Sequence, residues 1–137
     1  MRVSTRCRYG LRAMIYLARH EREHPVPLPE IAANEGISTA YLERIVAQLR
    51  SAGLVSATRG VTGGYRLARP VGQISAADVV IALEGPLDVL ACVHDAEACE
   101  RSRGCLSRRV WTRLDEAIEG ALAGVTLEDL VMEAVAE

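Results

Sequence analysis

The run Gly53-Leu54-Val55-Ser56-Ala57-Thr58-Arg59-Gly60-Val61-Thr62-Gly63-Gly64-Tyr65-Arg66-Leu67-Ala68 decides how the chain reads. Residues 54–58 and 65–69 alternate as two short strands. Between them, residues 59–64 hold three glycines in six positions, which permits a tight loop with positive φ. A glycine-rich loop that cradles a nucleotide phosphate would open a helix. These glycines join two strands instead, so the run reads as a hairpin.

Working upstream, Gly53 closes a helix over 39 to about 52, for which Ser38 is the N-cap. Leu42, Ile45, Val46 and Leu49 form its inward stripe, and Thr39, Ala40, Glu43, Arg44, Ala47 and Arg50 point outward. Before it, Pro29 suits the first turn of a short helix over 29–35, Gly36 its left-handed stop, and Ile37 the apolar residue after the turn. Helix, tight glycine turn and helix make a helix-turn-helix. Small and hydrogen-bonding side chains at the start of the second helix suit entry into a DNA major groove. The hairpin that follows is then a wing, whose Arg59 and Arg66 are placed to reach phosphates or an adjacent minor groove. A first helix runs from Thr5, read as its cap, to about His20, with Cys7, Leu11, Met14, Ile15 and Ala18 on one face. A polar, proline-containing break occupies 21–27.

Working downstream, a fourth helix starts at Ser75 or Ile74, covers 76 to about 84 and ends at Gly85-Pro86, with Val79, Val80 and Leu83 inward. Residues 87–106 read as irregular and hold three cysteines. Ser107 is read as the cap of a long helix to about 123. Its Val110, Trp111, Leu114, Ala117, Ile118, Ala121 and Leu122 make a stripe broad enough to pack on its own domain and on a second copy. Thr126, with Asp129 three residues on, caps a last short helix. The expected fold is mainly α with a small β-hairpin wing: a winged helix-turn-helix over 1–85, a cysteine-containing loop over 86–106, and a dimerisation helix plus C-terminal helix over 107–137.

Composition agrees. Half of the 137 residues are apolar, enough for a sizeable core in one compact domain. The net charge is only −2, but residues 1–69 carry eleven Arg against five acids and residues 70–137 five Arg against thirteen. A basic front half suits a protein that presents one end to a polyanion. No apolar run approaches the ~18 residues of a membrane span, and no signal-peptide pattern opens the chain. The expected location is cytoplasmic, away from membranes, where thiols stay reduced. No nucleophile–base pairing, carboxylate pair or nucleotide fingerprint with supporting context stands out, which excludes the common enzyme classes.

Cys92, Cys99 and Cys105 fall in a C-x6-C-x5-C pattern on a stretch that also contains Gly104. Three thiolates on a flexible loop suit an iron–sulfur cluster or zinc. A zinc centre would take the three cysteines and His94.

These stretches together resemble the Rrf-two (Rrf2) family of bacterial regulators, which includes the iron–sulfur cluster regulators. The resemblance rests on Met1-Arg2-Val3-Ser4-Thr5, Tyr9-Gly10-Leu11-Arg12-Ala13-Met14, Ile37-Ser38-Thr39-Ala40-Tyr41-Leu42-Glu43, Gly53-Leu54-Val55 and Arg59-Gly60-Val61-Thr62-Gly63-Gly64-Tyr65-Arg66-Leu67-Ala68. It implies a homodimer, held by the long helix, on a roughly palindromic double-stranded operator with half-sites about 34–36 Å apart or a multiple of that. It makes Glu43 and Arg44 candidates for reading bases, Glu43 by accepting from a cytosine amino group. It makes Ser38, Thr39, Tyr41, Arg59 and Gly60 candidates for backbone or wing contacts.

The three loop cysteines resemble the cluster-binding branch, which implies a 2Fe–2S or 4Fe–4S cofactor and a regulator, such as a repressor, responsive to redox, iron or nitric oxide. Some members place a histidine shortly after the third cysteine; here Leu106, Ser107, Arg108 and Arg109 follow. Others take an acidic residue from the partner's first helix; here Cys7 and Arg8 stand near that position. Cys7, His94, Asp95 and Glu97 are the candidates for a fourth ligand. Cluster binding is expected to order the loop and so bias operator affinity. Two alternatives stand beside this: the same regulator with structural zinc or no metal, and a winged module that controls a metabolic enzyme by protein contact.

Overall fold

The computed structural model describes residues 2–20, 22 and 24–136. Glu21 and Glu23, in the expected polar break, lie outside the described residues. The elements are α1 (Thr5–His20), α2 (Leu28–Glu35), α3 (Thr39–Ser51), β1 (Val55–Thr58), β2 (Gly64–Leu67), a 3-10 turn (Val71–Gln73), α4 (Ala76–Glu84), α5 (Ala91–His94), a second 3-10 turn (Ala96–Ala98), α6 (Arg108–Ala123) and α7 (Leu127–Ala136).

Local chemistry sets most boundaries. Ser38 accepts the Tyr41 N–H and starts α3, while Gly36, at φ 68°, stops α2. Ser75 and Asp78 close a reciprocal capping box on α4, and Thr126 with Asp129 does the same for α7. Two expected caps are corrected. Ser4, not Thr5, caps α1: its hydroxyl accepts the Cys7 N–H at 3.0 Å and donates to Glu84. Ser107 has helical backbone angles and makes no cap hydrogen bond, because its hydroxyl faces the Cys105 sulfur at 3.2 Å.

The core gathers Met14 and Leu17 of α1, Ile31 of α2, Leu42, Ile45 and Leu49 of α3, Val79 and Leu83 of α4, and Leu127 of α7, all essentially inaccessible. Burial of such side chains contributes roughly 1.5–3 kcal/mol each. Gly10 lets α1 approach α4, since a Cβ there would lie 2.1 Å from the Leu83 side chain. Val80 is only half-buried. The C-terminal helix α7 packs on α1, so its apolar side joins the core of the winged unit rather than extending α6 outward.

The hairpin is antiparallel, with Val55 opposite Leu67 and Thr58 opposite Gly64. It is shorter than the alternation suggested, with β2 ending at Leu67, although the Ala68 N–H still donates to the Leu54 carbonyl at 3.0 Å. A third segment joins it: Val26 and Tyr65 exchange backbone hydrogen bonds of 2.9 and 2.8 Å. The chain just before α2 thereby holds the base of the wing.

Candidate nucleic-acid interface and cysteine loop

The outer face of α3 presents Glu43, Arg44, Ala47 and Arg50 to solvent, all exposed. Thr39 and Tyr41 are half-buried. The Tyr41 ring meets Tyr9 edge-on at 6.2 Å, and Arg12 lies over Tyr9 and pairs with Glu35, so α1, α2 and α3 are clamped behind the recognition face. Ser38 spends its hydroxyl on the Tyr41 N–H. Arg59 and Gly60 are exposed at the wing tip, with Gly60 at φ 112°. Arg66 pairs opposite Ser56 on the strand face. Arg50, Pro27, Leu28, Thr58, Arg59, Gly60 and Tyr65 line one groove between α3, the start of α2 and the wing. Arg50 was not among the contacts singled out from sequence. Its place beside Arg59 comes from the fold of the hairpin back onto the end of α3, which no local pattern encodes.

The cysteine segment is less irregular than its composition suggests. α5 carries Cys92, and a turn after Cys99 is closed by Ser102, whose N–H and hydroxyl donate to the Cys99 carbonyl at 3.0 and 2.7 Å. Two side chains of α6 anchor this segment. Arg108 donates to the Cys92 and Val93 carbonyls at 2.7 and 3.2 Å. Asp115, only 2% exposed, accepts from the Val89 N–H at 3.1 Å and from His94 Nε2 at 2.8 Å.

Cys92 and Cys105 are half-buried and Cys99 is exposed, and all are free thiols. The Ser107 hydroxyl and the Arg108 N–H hold the Cys105 thiol below its ordinary pKa, in the direction of thiolate. Three thiolate donors on one segment form the donor set an iron–sulfur centre takes, so these residues fit such a group. A single zinc ion with bonds of ~2.3 Å needs sulfurs about 3.8 Å apart. The three sulfurs do not form such a set. Among the described residues, the candidate ligand atoms within 4.8 Å of one another belong to Asp88, His94 and Asp115.

Each fourth-ligand candidate is buried or has a partner of its own. Cys7 is 1% exposed in its own protomer's core, and burial, with Glu84 nearby, pushes its thiol pKa up. His94 is held by Asp115 and Asp88, and the Asp115 hydrogen bond is the main cause raising its pKa. Asp95 caps the turn that follows α5, and Glu97 faces Arg103. The anchoring roles of Arg108 and Asp115 had no sequence signal, because both lie on a helix read for its apolar stripe.

Most of that stripe is uncovered, with Ile118 and Leu122 half-buried. In α6 the one buried residue is Asp115, whereas Val110, Trp111 and Leu114 are 58%, 37% and 43% exposed. No helix among the described residues is long and apolar enough to cross a membrane.

A basic recognition helix followed at once by a glycine-hinged, arginine-tipped hairpin defines a winged helix-turn-helix DNA-binding regulator. The comparisons agree and narrow the class. The family model described as "Iron-dependent Transcriptional regulator" matches residues 3–133, and the chain belongs to this Rrf2 family. It is 40% identical, over 96% of its length and 79% of the other's, to the HTH-type transcriptional regulator IscR of Xenorhabdus nematophila. Its fold is similar to that of CymR (YrzC), the global cysteine regulator of B. subtilis, with a TM-score of 0.81, 38% identity and coverage of 97% and 98% of the two chains. It is likewise similar to T. potens IscR, with a TM-score of 0.79, 38% identity and coverage of 98% and 88%. The chain is a DNA-binding transcriptional regulator rather than an enzyme.

Proposed function

We propose that this regulator senses iron–sulfur status through a cluster held by Cys92, Cys99 and Cys105, and that it acts as a homodimer paired through α6. The observation that carries this reading is the placement of the three thiols on a segment bonded directly to α6 by Arg108 and Asp115. The bound group would supply thiolate-ligated iron that oxidant or nitric oxide removes. The chain's own residues do the rest. Arg108 holds the carbonyls beside Cys92, Asp115 holds the far end of α5, and both report loop geometry to the helix whose apolar side awaits a partner. The loop has internal turns of its own, so cluster binding adjusts a framed segment rather than ordering a free one.

On DNA, Glu43 and Arg44 read bases, Thr39 and Tyr41 support the start of α3, and Arg59, Gly60 and Arg66 follow the backbone at the wing. Ser38 serves α3 as its cap. Two α3 helices related by the dimer axis select a roughly palindromic operator. This reading assigns the three thiols and leaves the fourth ligand open among Cys7, His94, Asp95 and Glu97.

The test is anaerobic purification followed by an absorption spectrum, iron and sulfide counts, and operator titration before and after exposure to nitric oxide. Visible absorption with matching iron and sulfide, and operator affinity that changes on cluster loss, is the expected result. Colourless protein without iron and sulfide, or equal affinity of both forms, overturns it. Arg59→Ala should weaken operator binding and reduce the salt dependence by about one unit of slope per wing contact.

A further inference from the structure

Among the described residues, one group of side chains has the donor set and spacing of a metal centre. Asp88 lies on the segment after α4, His94 ends α5, and Asp115 lies on α6. One ligand atom from each falls within 4.8 Å of the others. His94 Nε2 is the hub, 2.8 Å from Asp115 Oδ2 and 3.3 Å from Asp88 Oδ1. A metal with nitrogen and carboxylate bonds of about 2.1 Å to all three atoms would see these separations as angles of about 84° and 104°. The first lies just under the octahedral angle and the second between the octahedral and tetrahedral angles, so both spacings are within reach of a shared ion.

The electrostatics favour a cation there. Asp115 is a carboxylate withdrawn from water on α6, and its charge is offset by one backbone N–H and one imidazole. Asp88 and Glu119 add negative charge around the same ring. One imidazole and two carboxylates, with water free to fill the remaining positions, suit a borderline divalent ion.

We propose that Asp88, His94 and Asp115 form a second metal site, distinct from the cysteine centre, that takes a divalent transition-metal ion such as Zn2+ or Mn2+. His94 offers its Nε2 lone pair to the ion, with the ring proton carried on Nδ1. The ion then links the segment after α4, α5 and α6 at one point, beneath the cysteine segment. None of its ligands is a thiol, so the site does not depend on the cluster reading.

The test uses the full chain with Cys92→Ser, Cys99→Ser and Cys105→Ser, titrated calorimetrically with Zn2+ alone and, separately, with Mn2+ monitored by electron paramagnetic resonance. One ion per chain is expected, with affinity at least about tenfold weaker in Asp88→Asn and in His94→Gln. Asp88 is half-exposed and packs no core, so its variant keeps the fold; circular dichroism checks this. Absence of binding, or unchanged stoichiometry and affinity in both variants, overturns the proposal. Iron and sulfide in the wild-type protein report on the cysteine centre separately, so failure of one reading is not confused with failure of the other.

Discussion

Gly64→Ala should unseat the wing. A Cβ at position 64 would lie 2.5 Å from the Val26 carbonyl carbon, 2.6 Å from its oxygen and 2.9 Å from the Pro27 nitrogen. Non-bonded carbon atoms settle at about 3.5–4.0 Å, so the strand and the segment before α2 must part by about 1 Å. The obstructing atoms are backbone, and no rotamer change relieves them. The hydrogen bonds that Val26 and Tyr65 exchange, 2.9 and 2.8 Å long, lie one residue away and are the first to yield. Losing both costs about 1–3 kcal/mol, and residual crowding about 1–3 kcal/mol. The two trade against each other, for a net destabilisation of about 2–4 kcal/mol. In a chain of this size that is a fall in Tm of about 6–20 °C.

Urea and thermal denaturation followed by far-ultraviolet circular dichroism measure the change, with Gly60→Ala as the control. Gly60 has φ 112° but open space around its Cβ position, so its substitution should cost only about 1–2 kcal/mol of backbone strain. Operator affinity should fall with Gly64→Ala more than with Gly60→Ala, because the former displaces Arg59 and Tyr65 together. A Gly64→Ala variant within 0.5 kcal/mol of wild type, or less damaging than Gly60→Ala, would refute the reasoning.

Three further outcomes follow from the same geometry. Ser38→Ala should cost about 1 kcal/mol in urea denaturation by removing the cap on the Tyr41 N–H; a loss of operator affinity far beyond that would show the hydroxyl touching DNA as well. Leu114→Asp should leave helicity intact, since Leu114 is exposed in the protomer, and convert a dimer to a monomer in analytical ultracentrifugation; an unchanged sedimentation coefficient would count against α6 as the pairing surface. In metal-free protein at neutral pH, iodoacetamide should modify Cys99 and Cys105 while Cys7 resists until the chain unfolds, because burial both shields Cys7 and disfavours its thiolate; mass spectrometry of the peptides decides this, and early modification of Cys7 would contradict its place in the core.

The winged helix-turn-helix was legible in the sequence because its signals are local. Ser38 and Gly36 mark the ends of helices by hydrogen bonds and φ values that span a few residues. The alternation around 59–64 specifies a hairpin within sixteen positions. The four inward residues of α3 follow from helical period alone, and all four are buried. The family followed from these runs in order, and the C-x6-C-x5-C pattern carried the expectation of a metal-responsive loop.

What only the tertiary structure decided involves residues far apart in sequence. The pairing of Val26 with Tyr65, the return of α7 to α1, the seat of Arg50 beside the wing and the burial of Cys7 all join segments that no short pattern connects. Ser4 rather than Thr5 caps α1, because Glu84 at the end of α4 engages Ser4. Asp115 is the clearest case. No local pattern singles it out, yet the chain folds α5 over it and makes it the one buried residue of α6. Local sequence determines where helices and turns begin, since caps and periodicity act within one or two turns. Which charge is desolvated, and what it then holds, depends on the neighbours that long-range packing brings to it.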